Sequence, residues 1–187
     1  MSNAMTTAIE ARDLSKTFKG GVVAVNGLDL TVPRGSVYGL IGRNGAGKTT
    51  TLRLLLGLLR RDRGEARILG TDFRRAARAE RQRVGYVSQS QQLPGWMTLA
   101  DLFRYMRGLT DRWDDRLARD LARRWEVPEG RPVNRLSGGQ QRLAAVLLVL
   151  GARPEVLFLD EPAANLDPVA RRMLLTSLVD TLGERQE

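Results

Sequence analysis

Apolar and polar positions divide the chain into short β-prone runs and longer helix-prone segments. The β-prone runs are residues 8–18, 22–25, 28–32, 37–41, 65–69, 84–87 and 156–159. The helix-prone segments are residues 50–59, 73–83, 99–107, 111–125, 141–151 and 169–183. Because strands and helices alternate along much of the chain, the pattern predicts an α/β fold.

Two stretches depart from this alternation. The first three β-prone runs follow one another without a helix, which predicts an N-terminal antiparallel sheet. Residues 90–150 are instead mostly helix-prone, and Thr98 is a good N-cap for the segment that follows it. In the next segment the apolar side chains recur every four residues, at Trp113, Leu117, Leu121 and Trp125. The sequence therefore predicts a helical subdomain inserted into the α/β core.

Residues 42–49 read G-x-x-x-x-G-K-T, the P-loop pattern, between a β-prone run and a helix-prone segment. Glycines let successive backbone N–H groups converge on phosphate oxygens, and the following helix adds the positive end of its dipole. Lys48 would neutralise phosphate charge, and the Thr49 hydroxyl would bind Mg²⁺. The predicted nucleotide-binding residues of this stretch are Gly42, Asn44, Gly45, Ala46, Gly47, Lys48, Thr49 and Thr50.

Composition narrows the chemistry further. The 187 residues contain no cysteine and no histidine, which excludes disulfides, thiol chemistry and histidine bases or metal ligands. The net charge is +9, but the arginines are scattered among acidic residues, which favours a solvated surface over a nucleic-acid or lipid patch. The longest apolar run, residues 143–150, is too short to span a membrane, and no signal peptide is visible. Residues 1–4 are interpreted as an expression remnant.

The stretch Leu136-Ser137-Gly138-Gly139-Gln140 lies about 90 residues after the P-loop and about 20 before an apolar strand ending in Asp160-Glu161. With these motifs in this order, the chain resembles the ABC-type ATPases from about residue 9 to its end. The resemblance implies a P-loop NTPase core with a mixed sheet. It implies domain boundaries at 5–89 for the core and β subdomain, 90–150 for the helical subdomain and 151–187 for the core continuation.

The resemblance also assigns roles in binding and hydrolysing ATP with Mg²⁺. Asp160 would hold Mg²⁺ at the carboxyl end of a buried strand. Glu161 is the only strong candidate for the base, since the chain has no histidine. Gln89 in Tyr86-Val87-Ser88-Gln89 would approach the metal and the attacking water. Catalysis is thus assigned to Glu161, Gln89 and Lys48, and the metal to Thr49, Gln89 and Asp160.

Other residues would bind the nucleotide from further away. Phe18 matches the position of an aromatic residue that stacks on adenine, although it could instead pack in the sheet. Ser137, Gly138, Gly139 and Gln140 would grip the γ-phosphate of a partner ATPase in a head-to-tail dimer. Asp167, in Asn165-Leu166-Asp167, would lie at the dimer seam.

The chain also departs from the family pattern. In the family a further strand and a histidine near the γ-phosphate follow the last helix, and this sequence stops at Glu187 without them. We interpret it as C-terminally truncated, or else as a naturally shortened, degenerate ATPase. We expect the chain as given to bind ATP weakly and to hydrolyse it poorly.

Several functions remain open at this point. The first is the subunit that powers a membrane transporter from the inner face of the cell membrane, paired with a separate permease and with a second ATPase subunit or copy. Trp96–Leu99, Trp113–Asp115 and Asp167–Val169 are similar to ABC-2 type exporter subunits. One alternative is a soluble ABC-type ATPase that acts on nucleic acid or ribosomes, and another is a nucleotide-binding regulator. For the favoured transporter subunit, no nucleic-acid partner is expected.

Overall fold

The computed structural model describes residues 7–90, 92–163 and 166–183. Two compact units divide the chain between Arg81 and Gln82. The boundaries expected at residues 89 and 150 stay predictions. In chain order, the first unit contains β1 (Thr7–Thr17), β2 (Val23–Pro33), α1 (Lys48–Leu55), β3 (Arg63–Ile68) and α2 (Arg78–Arg81).

The first unit is built on an antiparallel sheet with the strand order β2-β1-β3. Ile9 pairs with Val32 on one side and with Ile68 on the other, so apolar side chains meet across the sheet. Buried residues of the sheet and of α1 form the core of this unit, among them Leu14, Ile68, Leu54 and Leu55. The expectation of an N-terminal antiparallel sheet is confirmed.

The second unit contains β4 (Val84–Val87), α3 (Leu99–Leu109), α4 (Asp115–Arg124), α5 (Gly138–Gly151), β5 (Val156–Leu159) and α6 (Pro168–Gly183), with a 3-10 turn at Val133–Arg135. Strands β4 and β5 pair in parallel, from Val84 against Val156 to Val87 against Leu159. Helix α5 is apolar on most of its surface and is buried beside β4, α3 and α4. Trp125, Phe103 and Leu147 are among the large side chains fully buried in this core.

The apolar run 37–41 does not form the buried strand that the sequence predicts. Within the described residues neither sheet includes this segment, and Val37 and Ile41 are 79% and 99% exposed. A strand is stable only where a neighbouring strand accepts its backbone hydrogen bonds, which an apolar run cannot guarantee by itself. The prediction of a buried strand before the P-loop is therefore wrong.

The two β-prone runs 22–25 and 28–32 form one strand, β2, instead of two. Shifts of register between β1 and β2 near Leu14 and Lys16 absorb the extra residues. Gly27 has a φ of 60°, and its N–H donates to the Ser15 hydroxyl at 2.9 Å. Such a bulge lets a strand continue through a local kink.

Three helices differ from their predicted bounds because local capping decides where a helix starts or stops. α1 ends early at Leu55, because Gly57 just after it has a φ of 66° and its N–H donates to the Leu54 carbonyl. α2 starts late because Asp72 accepts from the Arg74 N–H and Glu80 from the Ala77 N–H. α4 starts at Asp115 instead of 111, since Asp114 accepts from the Leu117 N–H.

Candidate functional site

The P-loop in the first unit leads directly into α1, whose N-cap is Gly47. Gly47 has a φ of 86°, and a Cβ on it would lie 2.2 Å from the carbonyl oxygen of Ala24 in β2. Only glycine fits this position, because any other side chain would collide with backbone that cannot give way. The loop is thus pressed against the sheet at the point where the helix begins.

Lys48 folds back over the loop that precedes it. Its Nζ donates to the carbonyl oxygens of Gly42 at 2.8 Å and Arg43 at 3.2 Å. Thr49 and Thr50 follow in the first turn of α1 and are half-buried. An ammonium group held by the loop, beside the positive end of a helix, gives a phosphate-binding arrangement. Asn44, Gly45 and Ala46 form the exposed rim of this loop.

Phe18 follows the last residue of β1 and is 42% exposed, so the ring is not packed inside the sheet. Its N–H donates to the Val22 carbonyl at 2.8 Å, and the Nζ of Lys16 lies 5.9 Å from the ring centroid. Asp62 holds this end of the strand by accepting from the Thr17 N–H and from Lys16. An exposed ring on an anchored turn is a suitable platform for a flat base.

The second unit brings Gln89 and Glu161 together. Parallel pairing places the ends of β4 and β5 side by side, and the Asp160 N–H donates to the Val87 carbonyl at 2.9 Å. Beyond that bond, Gln89 Nε2 donates to Glu161 Oε2, also at 2.9 Å. An amide and a carboxylate in contact can together orient one water molecule.

The two acidic residues after β5 have different surroundings. Asp160 is only 2% exposed, whereas Glu161 is half-buried and partly accessible to solvent. Glu161 also has a φ of 50°, the left-handed region that L-residues seldom adopt. Such strain persists where surrounding contacts determine the backbone, and it is concentrated at functional sites.

Arg142 contacts both loops of this site, and the sequence interpretation did not name it. It is the only charged residue of α5, and its guanidinium donates to backbone carbonyls of the loops after β4 and β5. Burial lowers the pKa of Arg142, while the charges of Asp160 and Tyr86 act in the opposite direction. A lone arginine in an apolar helix was the signal that could have identified it, because a buried charge needs partners.

The Leu136–Gln140 stretch forms the start of α5. The Ser137 hydroxyl accepts from the Gln140 N–H, and Gln140 Oε1 accepts from the Ser137 N–H, both at 3.1 Å. Gly138 and Gly139 occupy the first turn, where N–H groups point out of the helix. The capping box therefore fixes the direction in which these donors face.

Asp167 is exposed directly before α6, and its carbonyl accepts from the Arg171 N–H at 2.9 Å. Asn165 of the same stretch lies outside the described residues. The same is true of Gln91, which follows Gln89 in the loop after β4.

The residues expected to bind Mg²⁺ offer a hydroxyl oxygen at Thr49, an amide oxygen at Gln89 and a carboxylate at Asp160. These hard oxygen donors suit Mg²⁺, which takes few protein ligands and keeps several waters. Gln89 donates to Glu161 through Nε2, so its Oε1 is the atom that can face a cation. In the described part of the chain, no three acidic side chains cluster as a separate metal site. None of the helices described there is long and apolar enough to cross a membrane.

Comparison with known proteins agrees with these motifs. The family model for ABC transporters matches residues 25–164. The ABC transporter ATP-binding protein YtrB of Bacillus subtilis is 33% identical over 95% of this chain and 60% of its own length. The Nod factor export ATP-binding protein I of Burkholderia lata is 40% identical, over 94% of this chain and 59% of its own.

Among solved structures, an ATP-binding subunit of an ABC transporter superposes with a TM-score of 0.83 and 26% identity. That match covers 95% of this chain and 75% of the other, which supports an ABC ATPase fold of mixed α/β structure. The chain spans about 60% of the length of the curated relatives it matches. The chain belongs to the ABC transporter family, whose ATP-binding domains hydrolyse ATP to power transport.

Proposed function

We propose that this chain is the ATP-binding and ATP-hydrolysing part of a transporter subunit, and that it powers export. The observation that carries the proposal is the hydrogen bond between Gln89 and Glu161 at the ends of two paired parallel strands. It joins a candidate base to a group that can orient water and ligate a metal. A protein that only binds ATP would need neither a base nor a group that orients water.

In this proposal the P-loop around Lys48 binds the ATP phosphates, and Phe18 stacks on the adenine. Thr49, Asp160 and Gln89 are the residues that would hold Mg²⁺, and the metal would supply charge neutralisation on the phosphates. Glu161 takes a proton from the attacking water. The geometry of each group within its own unit supports these roles.

The chain works in a head-to-tail pair with a second copy or a second ATPase subunit. Ser137, Gly138, Gly139 and Gln140 of one chain bind the γ-phosphate held by the other, with Asp167 at the seam. The capped start of α5 supports this role, since its N–H groups are fixed in direction before any ligand arrives.

The remaining partner is a separate membrane permease, which places this subunit at the inner face of the cell membrane. The name of the Burkholderia lata relative includes export, and this supports the exporter assignment over action on nucleic acid. The transport assignment of the family points the same way.

A Glu161→Gln variant of the full-length protein tests the proposal. The amide keeps the shape of the carboxylate but cannot accept a proton, so ATP should still bind while turnover stops. An ATP-dependent dimer should then accumulate in gel filtration. Lys48→Ala is the matched control, and it should lose both ATP binding and the dimer. Turnover by Glu161→Gln at the wild-type rate would refute Glu161 as the base.

A further inference from the structure

The guanidinium of Arg142 is surrounded by backbone carbonyl groups on the inner side of α5. Nε donates to Pro162 at 3.1 Å. Nη1 donates to Ser88 at 2.6 Å and to Gln89 at 3.4 Å. Nη2 donates to Asp160 and to Glu161, both at 3.0 Å.

These contacts use the full donor capacity of an arginine. A guanidinium carries five N–H groups in a rigid planar fork, and here each has one carbonyl acceptor. A lysine in the same position would present three donors from a single point, so it could satisfy at most three of the five carbonyls. The position therefore requires arginine rather than any positive charge.

The five acceptors belong to two loops that carry the candidate catalytic pair. One loop follows β4 and holds Gln89, and the other follows β5 and holds Glu161. Their side chains meet at 2.9 Å, and Glu161 adopts its unfavourable φ of 50° between two of the bonded carbonyls. The register of β4 and β5 brings the two loops side by side, and five charge-assisted bonds from Arg142 to their backbones add to the contacts that hold them at this distance.

We infer that Arg142 is a positioning residue for ATP hydrolysis, which sets the distance and orientation of Gln89 and Glu161 through their backbones. This inference rests on the proposed function. Arg142 also lies on α5, five residues after its N-cap Ser137. A ligand bound at the start of α5 is thereby connected to the catalytic pair through one side chain.

The test compares Arg142→Lys and Arg142→Met with wild type in ATPase assays of the full-length protein. Both variants should lower kcat by about ten- to a hundredfold, the range expected when reacting groups are misplaced by about 1 Å. The affinity for ATP, measured with a fluorescent analogue, should stay near the wild-type value because none of the five acceptors belongs to the P-loop. Counting ATP-binding sites gives kcat per folded molecule, so partial unfolding does not disguise the result.

Arg112→Lys is the matched control. Its guanidinium also donates to a backbone carbonyl in the second unit, that of Arg153 at 3.0 Å, and its described contacts include no residue of either catalytic loop. Its kcat should equal that of wild type.

A double-mutant cycle with Gln89→Ala separates positioning from general stability. If Arg142 acts through the pair, the double variant should be little slower than the slower single variant. Independent, multiplying effects on kcat would overturn the inference, and so would a wild-type kcat in Arg142→Lys. A wild-type protein without any ATPase activity would instead contradict the proposed function.

Discussion

Gln89 and Glu161 lie 72 positions apart in the chain, and a 2.9 Å hydrogen bond from Nε2 to Oε2 joins their side chains. The contact follows from the parallel register of β4 and β5, in which Val87 lies opposite Leu159. Gln89 lies two residues after the end of β4, and Glu161 lies two residues after the end of β5. Because the two strand ends are adjacent, the two side chains lie next to each other. The arrangement makes the amide a direct neighbour of the candidate base.

The first prediction concerns this amide. Gln89→Ala should lower kcat for ATP hydrolysis by about ten- to a hundredfold, because Glu161 loses the group that orients it. Gln89→Glu should be at least as slow, since two carboxylates in contact repel each other. Phosphate release at saturating ATP measures both. Gln92→Ala is the control, because Gln92 is exposed in the same loop and should tolerate the change.

A second prediction concerns the contact of Gly47 with β2. In Gly47→Ala the new Cβ would lie 2.2 Å from the Ala24 oxygen, so the P-loop must shift and ATP affinity should fall more than tenfold. Gly70→Ala is the control, because Gly70 has nearly the same φ, 84°, but nothing lies within 4 Å of its added Cβ. It should lose about 1–2 kcal/mol of unfolding free energy and bind ATP normally. Equal ATP affinities in the two variants would show that the close approach to Ala24 is unimportant.

The third prediction concerns pH and Asp72. The hydrogen bond from Arg74 lowers the pKa of Asp72, Arg61 lowers it further, and burial opposes both. A lowered pKa in the folded state gives stability that is present above the unfolded pKa of about 3.9 and is lost as pH falls toward the folded value. Asp72→Asn should therefore reduce the free energy of unfolding by roughly 1–3 kcal/mol at pH 7, where Arg61 loses a charged partner.

The difference in the free energy of unfolding between Asp72→Asn and wild type should become steadily smaller below about pH 3.9. Urea unfolding at several pH values measures it. Glu65→Gln is the control, since Glu65 and Arg67 form an exposed pair 3.5 Å apart. Exposed pairs contribute about 0–1 kcal/mol, so this variant should follow the wild-type curve. A constant difference across the pH range would contradict the role of the Asp72 charge.

A fourth prediction separates capping from ligand binding at Ser137. Among the described residues, Ser137 forms a capping box with Gln140 on α5 and Thr98 forms an equivalent one with Asp101 on α3. Ser137→Ala and Thr98→Ala should each cost about 1 kcal/mol of unfolding free energy. In a Glu161→Gln background, only Ser137→Ala should also weaken the ATP-dependent dimer in gel filtration. Equal dimerisation by both variants would mean that Ser137 is only a helix cap.

The sequence by itself determined the features that depend on neighbouring residues. The P-loop, the Leu136–Gln140 stretch and the acids at the end of β5 are contiguous patterns, so neighbouring residues suffice to identify them. The family could be identified for the same reason, because its motifs are read one after another along the chain. The start of α3 at Thr98 was predicted because a capping box needs only four residues.

Only the tertiary structure decided what depends on residues far apart in the chain. The Gln89–Glu161 contact requires the register of β4 against β5, and the acceptors of Arg142 lie 18 to 54 positions away from it. The run 37–41 is the converse case, since its apolar side chains suit a strand and no described strand pairs with it. Hydrogen bonds between distant segments depend on how those segments pack against each other. The sequence could therefore identify the individual residues but could not predict which of them are in contact.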